Sequence, residues 1–459
     1  MGDLALAGYV AAEQERIVAT LFDWLRIPSI SAHPARASDV VRSAHFAAHL
    51  LEEAGFENVT VLDTPGAPSV YGDWLHAGTG APTVVVYGHH DVQPVDPEDA
   101  WTSPPFDPVL VDGECRARGA IDDKGQVLYE IEAARGLLRR DGRLPVNLKF
   151  LIEGEEEVGS PNFEALLRAE GDRLRCDVVV VSDTTMWAPD VPSVCMGMRG
   201  LAAFDLTIHT AESDLHSGSF GGSVPNPVHL LASMVAALHD GDGRVTLPGF
   251  YDQVRPLTPE EEASLRALPF DEADWKAKAG VQRLEGEAGF STLERVWTRP
   301  TCEVVGFTGG YGGEGVKTVV PASANAKVTF RLVADQDPVQ VADAFRSWVA
   351  LQVPEGIRWE LTALGAVAPA LTPAGHPAVA ALCRAIEKVW GTAPLFTREG
   401  GSGPEEALGR VLGAPVLYLG VGLPDDRFHA PNERLVMDQF WRGLLAAAEL
   451  WLDLGSRRS

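Results

Sequence analysis

Two histidines and four acidic residues of this 459-residue chain have the types and spacing of a site that binds metal ions. Each follows a run that predicts a strand, or lies in a loop between such elements. These residues are His89, Asp122, Glu156, Glu157, Asp183 and His429. Because the carboxyl ends of parallel strands meet at one edge of a sheet, we expect the side chains to converge there. Four carboxylates in one place need a cation to compensate them, and nitrogen and oxygen ligands without thiolate suit Zn or Mn.

Each of these residues taken alone has a simpler explanation. His89 could be a hydrogen-bonded structural residue at a strand end, and Asp122 could stand at a helix start, where a carboxylate is favourable. Asp183 could cap a helix, the acidic run 153–157 could be a solvated surface, and His429 could be a loop residue. The interpretation as a metal site depends on their occurring together.

The elements that would position these residues alternate between strands and helices. Residues 83–87 and 178–181 are apolar runs typical of buried parallel strands, and residues 146–152 alternate like a strand. Helical periodicity follows Asp123 and returns in the last twenty or so residues. This pattern predicts an α/β fold with a mostly parallel sheet.

The chain is too long for one ordinary core, and its pattern changes in the middle. Residues 324–332 alternate strictly between apolar and polar, and short helix and strand signals surround them. We therefore predict an inserted α+β domain at 199–366. The α/β domain is then discontinuous and comprises residues 1–198 and 367–459.

The composition excludes several classes of protein. The chain has 38 Lys and Arg against 64 Asp and Glu, a net charge of −26, which argues against nucleic acid or an anionic membrane as partner. It lacks an apolar run of the roughly 18–20 residues that a membrane span needs, and its first residues do not have the pattern of a signal peptide. Five scattered cysteines predict reduced thiols and a cytoplasmic protein.

Six motifs, in this order and over nearly the whole chain, resemble one family. They are Gly88-His89-His90-Asp91-Val92-Gln93-Pro94, Arg118-Gly119-Ala120-Ile121-Asp122-Asp123-Lys124-Gly125, Glu153-Gly154-Glu155-Glu156-Glu157-Val158-Gly159-Ser160, Ser182-Asp183, Asp214-Leu215-His216-Ser217-Gly218 and Pro424-Asp425-Asp426-Arg427-Phe428-His429. The family is that of the co-catalytic di-metal peptidases, which includes carnosinases, cytosolic non-specific dipeptidases, aminoacylases and succinyl-diaminopimelate desuccinylases. The residues of these motifs are most similar to those of the dipeptidase branch.

The resemblance implies two divalent metal ions per subunit and a ligand set for each. His89 and Asp183 would bind one ion, and Glu157 and His429 would bind the other. Asp122 would bridge the two ions. Zn fits these ligands, with Mn or Co as alternatives.

The resemblance also implies how the site works. Glu156 would be the general base, acting on a water that two metal ions about 3.5–4 Å apart share and acidify. Asp91 would hydrogen-bond His89 and fix its tautomer. The family further implies a cis peptide bond between Asp122 and Asp123.

The inserted domain would serve as a lid and dimerisation domain. In the resembled family a histidine in the motif of His216 reaches the active site of the partner subunit and stabilises the oxyanion, which implies a homodimer. From sequence alone His216 could also be an ordinary loop residue, and Arg331 a solvated charge. In the dipeptidase branch the corresponding motifs bind the terminal carboxylate of the substrate. The candidates for substrate contact are His216, Thr318, Arg331, His376, Ser402 and His429.

We therefore predict a homodimeric metallopeptidase that hydrolyses dipeptides or very short peptides. The long insertion at 240–300 and an Arg-Glu-Gly-Gly-Ser run at 398–402 favour this interpretation. Gly403 departs from the apolar residue that often follows that run, which leaves the side-chain preference open. One alternative is an N-acyl-amino-acid amidohydrolase with the same di-metal mechanism. A non-enzymatic alternative is a catalytically silent binding protein on the same fold.

Overall fold

The computed structural model of the chain describes residues 4–456, which form two compact units. The first unit comprises residues 4–196, 371–397 and 403–456, and the second comprises 197–370 and 398–402. The boundaries predicted from the sequence differ from these by a few residues and place 398–402 in the first domain. That segment groups with the second unit because the backbone N–H of Arg199 donates to the carbonyl of Glu399.

The helices of the described residues range from a single turn to twenty residues. In chain order they are Ala7–Leu25 (α1), Ala37–Ala54 (α2), Lys124–Asp141 (α3), Phe163–Ala169 (α4), Gly171–Leu174 (α5), Ser217–Phe220 (α6), Pro227–Ala237 (α7), Pro259–Ala267 (α8), Glu272–Ala279 (α9), Thr292–Trp297 (α10), Pro338–Gln352 (α11), Pro377–Trp390 (α12), Glu405–Leu412 (α13) and Met437–Ser456 (α14). Several end where the chain needs a left-handed residue: Gly55 (φ 96°) follows α2 and Gly142 (φ 67°) follows α3.

The strands of the described residues range from two to ten residues. In chain order they are Glu57–Leu62 (β1), Ser69–Trp74 (β2), Thr83–His89 (β3), Val109–Val111 (β4), Glu114–Arg116 (β5), Asn147–Glu153 (β6), Val178–Val181 (β7), Ser193–Met198 (β8), Gly200–His209 (β9), Leu215–His216 (β10), Thr301–Gly309 (β11), Val319–Val320 (β12), Ser323–Leu332 (β13), Arg358–Val367 (β14), Ala370–Leu371 (β15), Leu395–Glu399 (β16), Val416–Tyr418 (β17) and Arg434–Val436 (β18).

A six-stranded sheet in the order β1-β2-β6-β3-β7-β17 forms the centre of the first unit. Strands β6, β3, β7 and β17 pair in parallel, whereas β1 and β2 join antiparallel at one side. Every residue of β7 is buried, as its run of four valines predicts for a strand covered on both faces. The predicted α/β fold with a mostly parallel sheet is therefore confirmed.

Helices supply the cover for this sheet. Helix α3 is buried from Lys124 to Leu137, and it packs against α1, α2 and the terminal helix α14. Trp24 of α1 and Trp451 of α14 are fully buried in the same core. Each large apolar side chain withdrawn from water in this way contributes about 1.5–3 kcal/mol. This packing holds the amino terminus of α3, which follows Asp122 and Asp123, in a fixed place.

The second unit contains an antiparallel sheet in the order β11-β13-β9-β14. In β13 the apolar residues Ala326, Val328 and Phe330 are buried while Lys327 is exposed, so the alternation predicted from the sequence is present. Helices α7 and α11 cover the apolar face. The segment 240–300, where the sequence shows no clear period, contains the short helices α8, α9 and α10.

Two chain-wide predictions concern membranes and cysteines. Among residues 4–456 no helix combines the length and the apolar character that a membrane crossing requires. Within the same residues no disulfide bond joins the cysteines.

Candidate active site

Three neighbouring parallel strands bring acidic and histidine side chains to one edge of the central sheet. His89 is the last residue of β3 and lies opposite Glu153, the last residue of β6. A 3-10 turn, Glu156–Val158, follows β6, and Asp183 lies two residues after β7. The convergence expected at the carboxyl ends of parallel strands is therefore present.

The remaining two residues reach this edge from loops. Asp122 lies just before α3, and the peptide bond between Asp122 and Asp123 is cis, as the resemblance implied. His429 lies in the loop between β17 and β18 in a left-handed conformation with φ 58°. Gly88 allows the close approach, because a side chain at that position would collide with Asp123 and Val127.

The side chains form two groups of three ligands that share Asp122. In the first group His89 Nε2 lies 3.0 Å from Asp122 Oδ1 and 3.5 Å from Asp183 Oδ2. In the second group His429 Nε2 lies 3.0 Å from Asp122 Oδ2 and 3.4 Å from Glu157 Oε2. Within each group the possible ligand atoms all lie within 4.8 Å of one another. Asp122 offers a different oxygen to each group, which is the geometry of a bridging carboxylate.

Further contacts orient the ligands. His89 Nδ1 lies 3.1 Å from the carbonyl oxygen of Asp91 and 3.4 Å from its carboxylate. An Nδ1–H that donates to Asp91 would leave the lone pair of Nε2 to bind a cation placed between Nε2, Asp122 and Asp183. Asp91 Oδ2 also accepts the backbone N–H of Glu157 at 3.1 Å, so one carboxylate braces a ligand of each group. Gln93 Nε2 donates to Glu157 Oε2 at 2.6 Å.

The electrostatics of the site reflect crowded carboxylates. Burial raises the pKa of Glu157 well above its usual value, and the charge of Asp122 raises it further. Burial likewise raises the pKa of Glu156, with Asp183 and Asp122 adding to the rise and His89 opposing it. Burial alone would lower the pKa of His89, but its bonds to Asp122, Asp183 and Asp91 outweigh burial and raise it.

These residues fit divalent metal ions. Glu157 Oε1 is buried and has no hydrogen-bond partner among the described residues, although Oε2 is held by Gln93. Carboxylate oxygens and imidazole nitrogens without protons between them are the ligands that Zn and Mn prefer. A bound cation would also offset the repulsion that raises the pKa of Glu157.

Glu156 stands beside the ligands without belonging to either group. Its Oε2 lies 4.0 Å from His89 Nε2, and its side chain is 20% exposed, whereas that of Glu157 is 2% exposed. A carboxylate that remains partly accessible next to the metal ligands is placed to exchange a proton with water or substrate.

The candidate substrate residues of the second unit fall into two places. His216 is exposed, and its Nδ1 accepts the N–H of Gly218 at 3.0 Å. The neutral ring therefore carries its proton on Nε2, which is a donor suited to an oxyanion. Thr318 is also exposed and adjoins this histidine, because its carbonyl accepts the N–H of Ser217.

Arg331 and Ser402 meet in the second unit. Arg331 Nη1 donates to Ser402 Oγ at 3.0 Å, and Ser402 Oγ donates to the carbonyl of Arg199 at 2.6 Å. Among the described residues, neither arginine forms an ion pair with a carboxylate. Burial lowers the pKa of Arg199 to about 10, and the charge of Arg331 lowers it too. Two half-buried guanidinium groups near each other have the charge and the donors to bind an anion.

The sequence assigned no role to Gln93, Arg199 or Glu433, although all three contact predicted site residues or the loops that carry them. His376, which it did single out, accepts the N–H of Ala378 through Nδ1 and caps α12. That bond gives His376 a local structural role, and its contact with substrate stays a prediction.

An α/β sheet edge with two ligand groups bridged by one carboxylate, and a free glutamate beside them, is the arrangement of a metal-dependent hydrolase. The comparison with protein families agrees: residues 85–453 match the model of Peptidase family M20/M25/M40. The chain belongs to this family, which confirms the family recognised from the motifs and the prediction of a metallopeptidase.

Three proteins named as peptidases align with this chain over most of their length. A Homo sapiens Beta-Ala-His dipeptidase is 30% identical, with 97% of this chain and 91% of the relative aligned. A Schizosaccharomyces pombe Cys-Gly metallodipeptidase, dug1, is 32% identical over 94% of each chain. The crystal structure of an M20 family metallo-carboxypeptidase from Sulfolobus solfataricus superposes with a TM-score of 0.86 at 32% identity, covering 96% of this chain and 99% of that one. These similarities favour the dipeptidase interpretation over the amidohydrolase and over a silent binding protein.

Proposed function

We propose that this protein hydrolyses the peptide bond of dipeptides or very short peptides in a metal-dependent reaction. The observation that carries the proposal is the pair of ligand groups sharing Asp122, with the accessible carboxylate of Glu156 next to them. The names of the relatives support the substrate class, since two are dipeptidases and one is a carboxypeptidase. All of these act at or near a free peptide terminus.

Five residues would hold two divalent ions: His89 and Asp183 for one, Glu157 and His429 for the other, and Asp122 for both. Bound ions of this kind supply a Lewis acid that lowers the pKa of water toward about 7. Zn is the proposed metal, with Mn or Co as alternatives that the same ligands accept.

Glu156 would move the proton. It accepts a proton from the attacking water as the new C–O bond forms at the scissile carbonyl carbon. It then delivers that proton to the amine nitrogen as the C–N bond breaks. Burial and the neighbouring carboxylates Asp183 and Asp122 raise the pKa of Glu156, with His89 opposing the rise, and a carboxylate of raised pKa accepts a proton more readily than an ordinary one.

The second unit would supply recognition. Arg331, Ser402 and Arg199 form an anion site that suits the free carboxylate at the end of a short peptide. The Nε2–H of His216 would stabilise the oxyanion, reaching the site of the partner subunit of a homodimer. Thr318, His376 and His429 remain proposed substrate contacts. The cytoplasmic location predicted from the cysteine content also remains a proposal.

The test combines one variant with a small substrate panel. Glu156→Gln keeps the size of the side chain but removes the base, so it is expected to retain two metal ions and lose about 10²–10⁴-fold in kcat. Glu155→Gln is the matched control: it removes a carboxylate of the same acidic run that binds Ala67 N–H and Asn162 instead of the ligands. An active, metal-loaded Glu156→Gln protein would contradict the assignment.

The panel measures hydrolysis of Ala-Ala, Ala-Ala amide and N-acetyl-alanine by the wild-type protein. We expect hydrolysis of Ala-Ala, a loss of at least tenfold in kcat/KM for the amide, and negligible hydrolysis of N-acetyl-alanine. The loss for the amide should become smaller in Arg331→Met, because that variant removes one of the two guanidinium groups of the anion site. Preference for N-acetyl-alanine would instead establish the amidohydrolase.

A further inference from the structure

We propose that Glu433 is a positioning residue, which holds the loops of Asp122 and His429 in a fixed position relative to each other. It thereby determines how tightly the second ligand group, Asp122, Glu157 and His429, binds its metal ion. The inference rests on the proposed metal centre. It concerns a residue that contacts neither substrate nor, by its geometry, a metal ion. Its carboxylate is instead committed to the loop that carries the bridging aspartate.

The carboxylate of Glu433 is fully buried and receives four donors. Oε2 accepts Arg118 Nη1 at 2.8 Å and the backbone N–H of Gly119 at 3.0 Å. Oε1 accepts the backbone N–H groups of Ile121 and Asp122 at 3.0 and 3.1 Å. A carboxylate offers about four lone-pair sites, so all of them are used on one loop.

The four donors also fix the chemical state of Glu433. The groups that contact the two oxygens of Glu433 are all hydrogen-bond donors, which is the environment of an ionised carboxylate. An amide at this position would turn its NH₂ toward two N–H donors in either orientation, so Gln is an isosteric but disruptive replacement.

Glu433 follows His429 by four residues in the same loop. Hydrogen bonds within the loop and to a neighbouring segment hold it in place. Asp426 accepts the N–H of Leu423 at 2.7 Å and Arg434 Nε at 3.1 Å. Asn432 accepts the N–H of Thr102 at 2.7 Å. Because this loop is braced, a displacement of Glu433 relative to the Asp122 loop is also a displacement of His429 relative to Asp122.

The two metal groups depend on this contact to different degrees. In the second group, two of the three ligands are Asp122 and His429, and Glu433 joins their loops. In the first group, His89 and Asp183 are held at the ends of β3 and β7, and His89 is oriented by Asp91. Loss of the Glu433 contacts should therefore weaken the second group more than the first.

The experiment measures metal affinity in proteins that retain one group each. His429→Ala leaves the first group and Asp183→Ala leaves the second, and each is titrated with Zn²⁺ against a chelator of known affinity. Adding Glu433→Gln is expected to weaken binding by about 10–100-fold in the Asp183→Ala protein. In the His429→Ala protein we expect a smaller change, about 3–10-fold, because Asp122 is the one ligand of the first group on a loop that Glu433 holds.

Controls separate positioning from folding. Glu449→Gln removes another buried carboxylate, which accepts the N–H of Ala5 and the ammonium of Lys388 far along the chain from the site. It should lower Tm without changing Zn²⁺ affinity. Glu433→Asp keeps the charge opposite Arg118 but shortens the reach, so it tests the same asymmetry should Glu433→Gln fail to fold.

Three results would overturn the inference or its basis, and they are distinguishable. If the Zn²⁺ affinity of both groups falls equally and in proportion to the loss of Tm, Glu433 has only a structural role. Unchanged affinities in whichever Glu433 variant folds would refute the positioning role outright. A wild-type protein that binds no Zn²⁺ would refute the proposed metal centre itself, independently of Glu433.

Discussion

Replacing Glu130 by glutamine should make the protein more stable at alkaline pH and remove part of its pH dependence. Glu130 lies on α3 and is completely buried. Ser182 Oγ donates to its Oε1 at 2.7 Å, while Oε2 has no hydrogen-bond partner among the described residues. Burial raises the pKa of Glu130 from the usual 4.5 to about 8, and the bond from Ser182 opposes this only in part.

The sign and size of the effect follow from that shift. Below pH 4.5 the carboxyl group is protonated in both the folded and the unfolded chain. Between pH 4.5 and about 8 the unfolded chain has lost the proton and the folded chain keeps it, so the free energy of unfolding falls as pH rises. A shift of this size corresponds to on the order of 5 kcal/mol across the window. The amide of the Glu130→Gln variant does not titrate, so the variant should lack this loss.

The assay is urea unfolding of both proteins at a series of pH values from about 5 to 8.5. The difference in free energy of unfolding, variant minus wild type, should grow in favour of Glu130→Gln by roughly 1.4 kcal/mol per pH unit. Both proteins are compared at each pH, so that metal release affects both. Glu15→Gln, at an exposed position of α1, should show a constant difference. Parallel curves for Glu130→Gln and wild type would refute the reasoning.

Three further predictions concern the site and the second core. Asp91→Asn should lower Zn²⁺ affinity by about 10–100-fold in a chelator competition, because the Asp91 carboxylate lies 3.4 Å from His89 Nδ1 and accepts the N–H of Glu157; an unchanged affinity would contradict this. Removal of metal should lower Tm, and Zn²⁺ at about 1,000 times its Kd should restore roughly 4 kcal/mol; identical melting with and without chelator would exclude a bound ion. Phe345→Ala should cost about 3–5 kcal/mol in urea unfolding, since Phe345 is 1% exposed, whereas Phe307→Ala, 42% exposed, should cost far less.

The framework of the fold could be predicted because its signals are local. The valine run of β7 and the alternation of β13 each indicate, from the residues of that strand alone, which of its side chains are buried. The clustering of the candidate ligands could be predicted because most of them follow such strands, and parallel strands end together. The order of the strands in the sheet was not needed for that prediction.

The helices of the segment 240–300 were missed although the sequence carries a signal for two of them. Thr258 and Glu261 form a capping box at the start of α8, and Ser291 and Glu294 form another at the start of α10. No residue of α8 is buried, so its apolar period is weak and only the cap marks it. The capping boxes therefore mark the starts of these helices where the hydrophobic period does not.

The positioning residues had no such signal. Glu433 lies next to a loop 311 residues earlier in the chain, and Arg199 comes beside Arg331 through the pairing of β9 with β13. A charged residue that is buried against a distant loop looks like any surface charge in the sequence. Only the register of strands and the course of the loops bring such partners together.

The distance along the chain between Asp122 and Glu433 also has a consequence for biosynthesis. Synthesis proceeds at about 5–20 residues per second, so the 311 residues that separate them take roughly 15–60 s to make. Once Asp183 has been added, and until residue 429 is made, a nascent chain holds His89, Asp122 and Asp183 but lacks His429. If the proposed metal centre needs His429, a nascent chain without that residue is expected to be inactive.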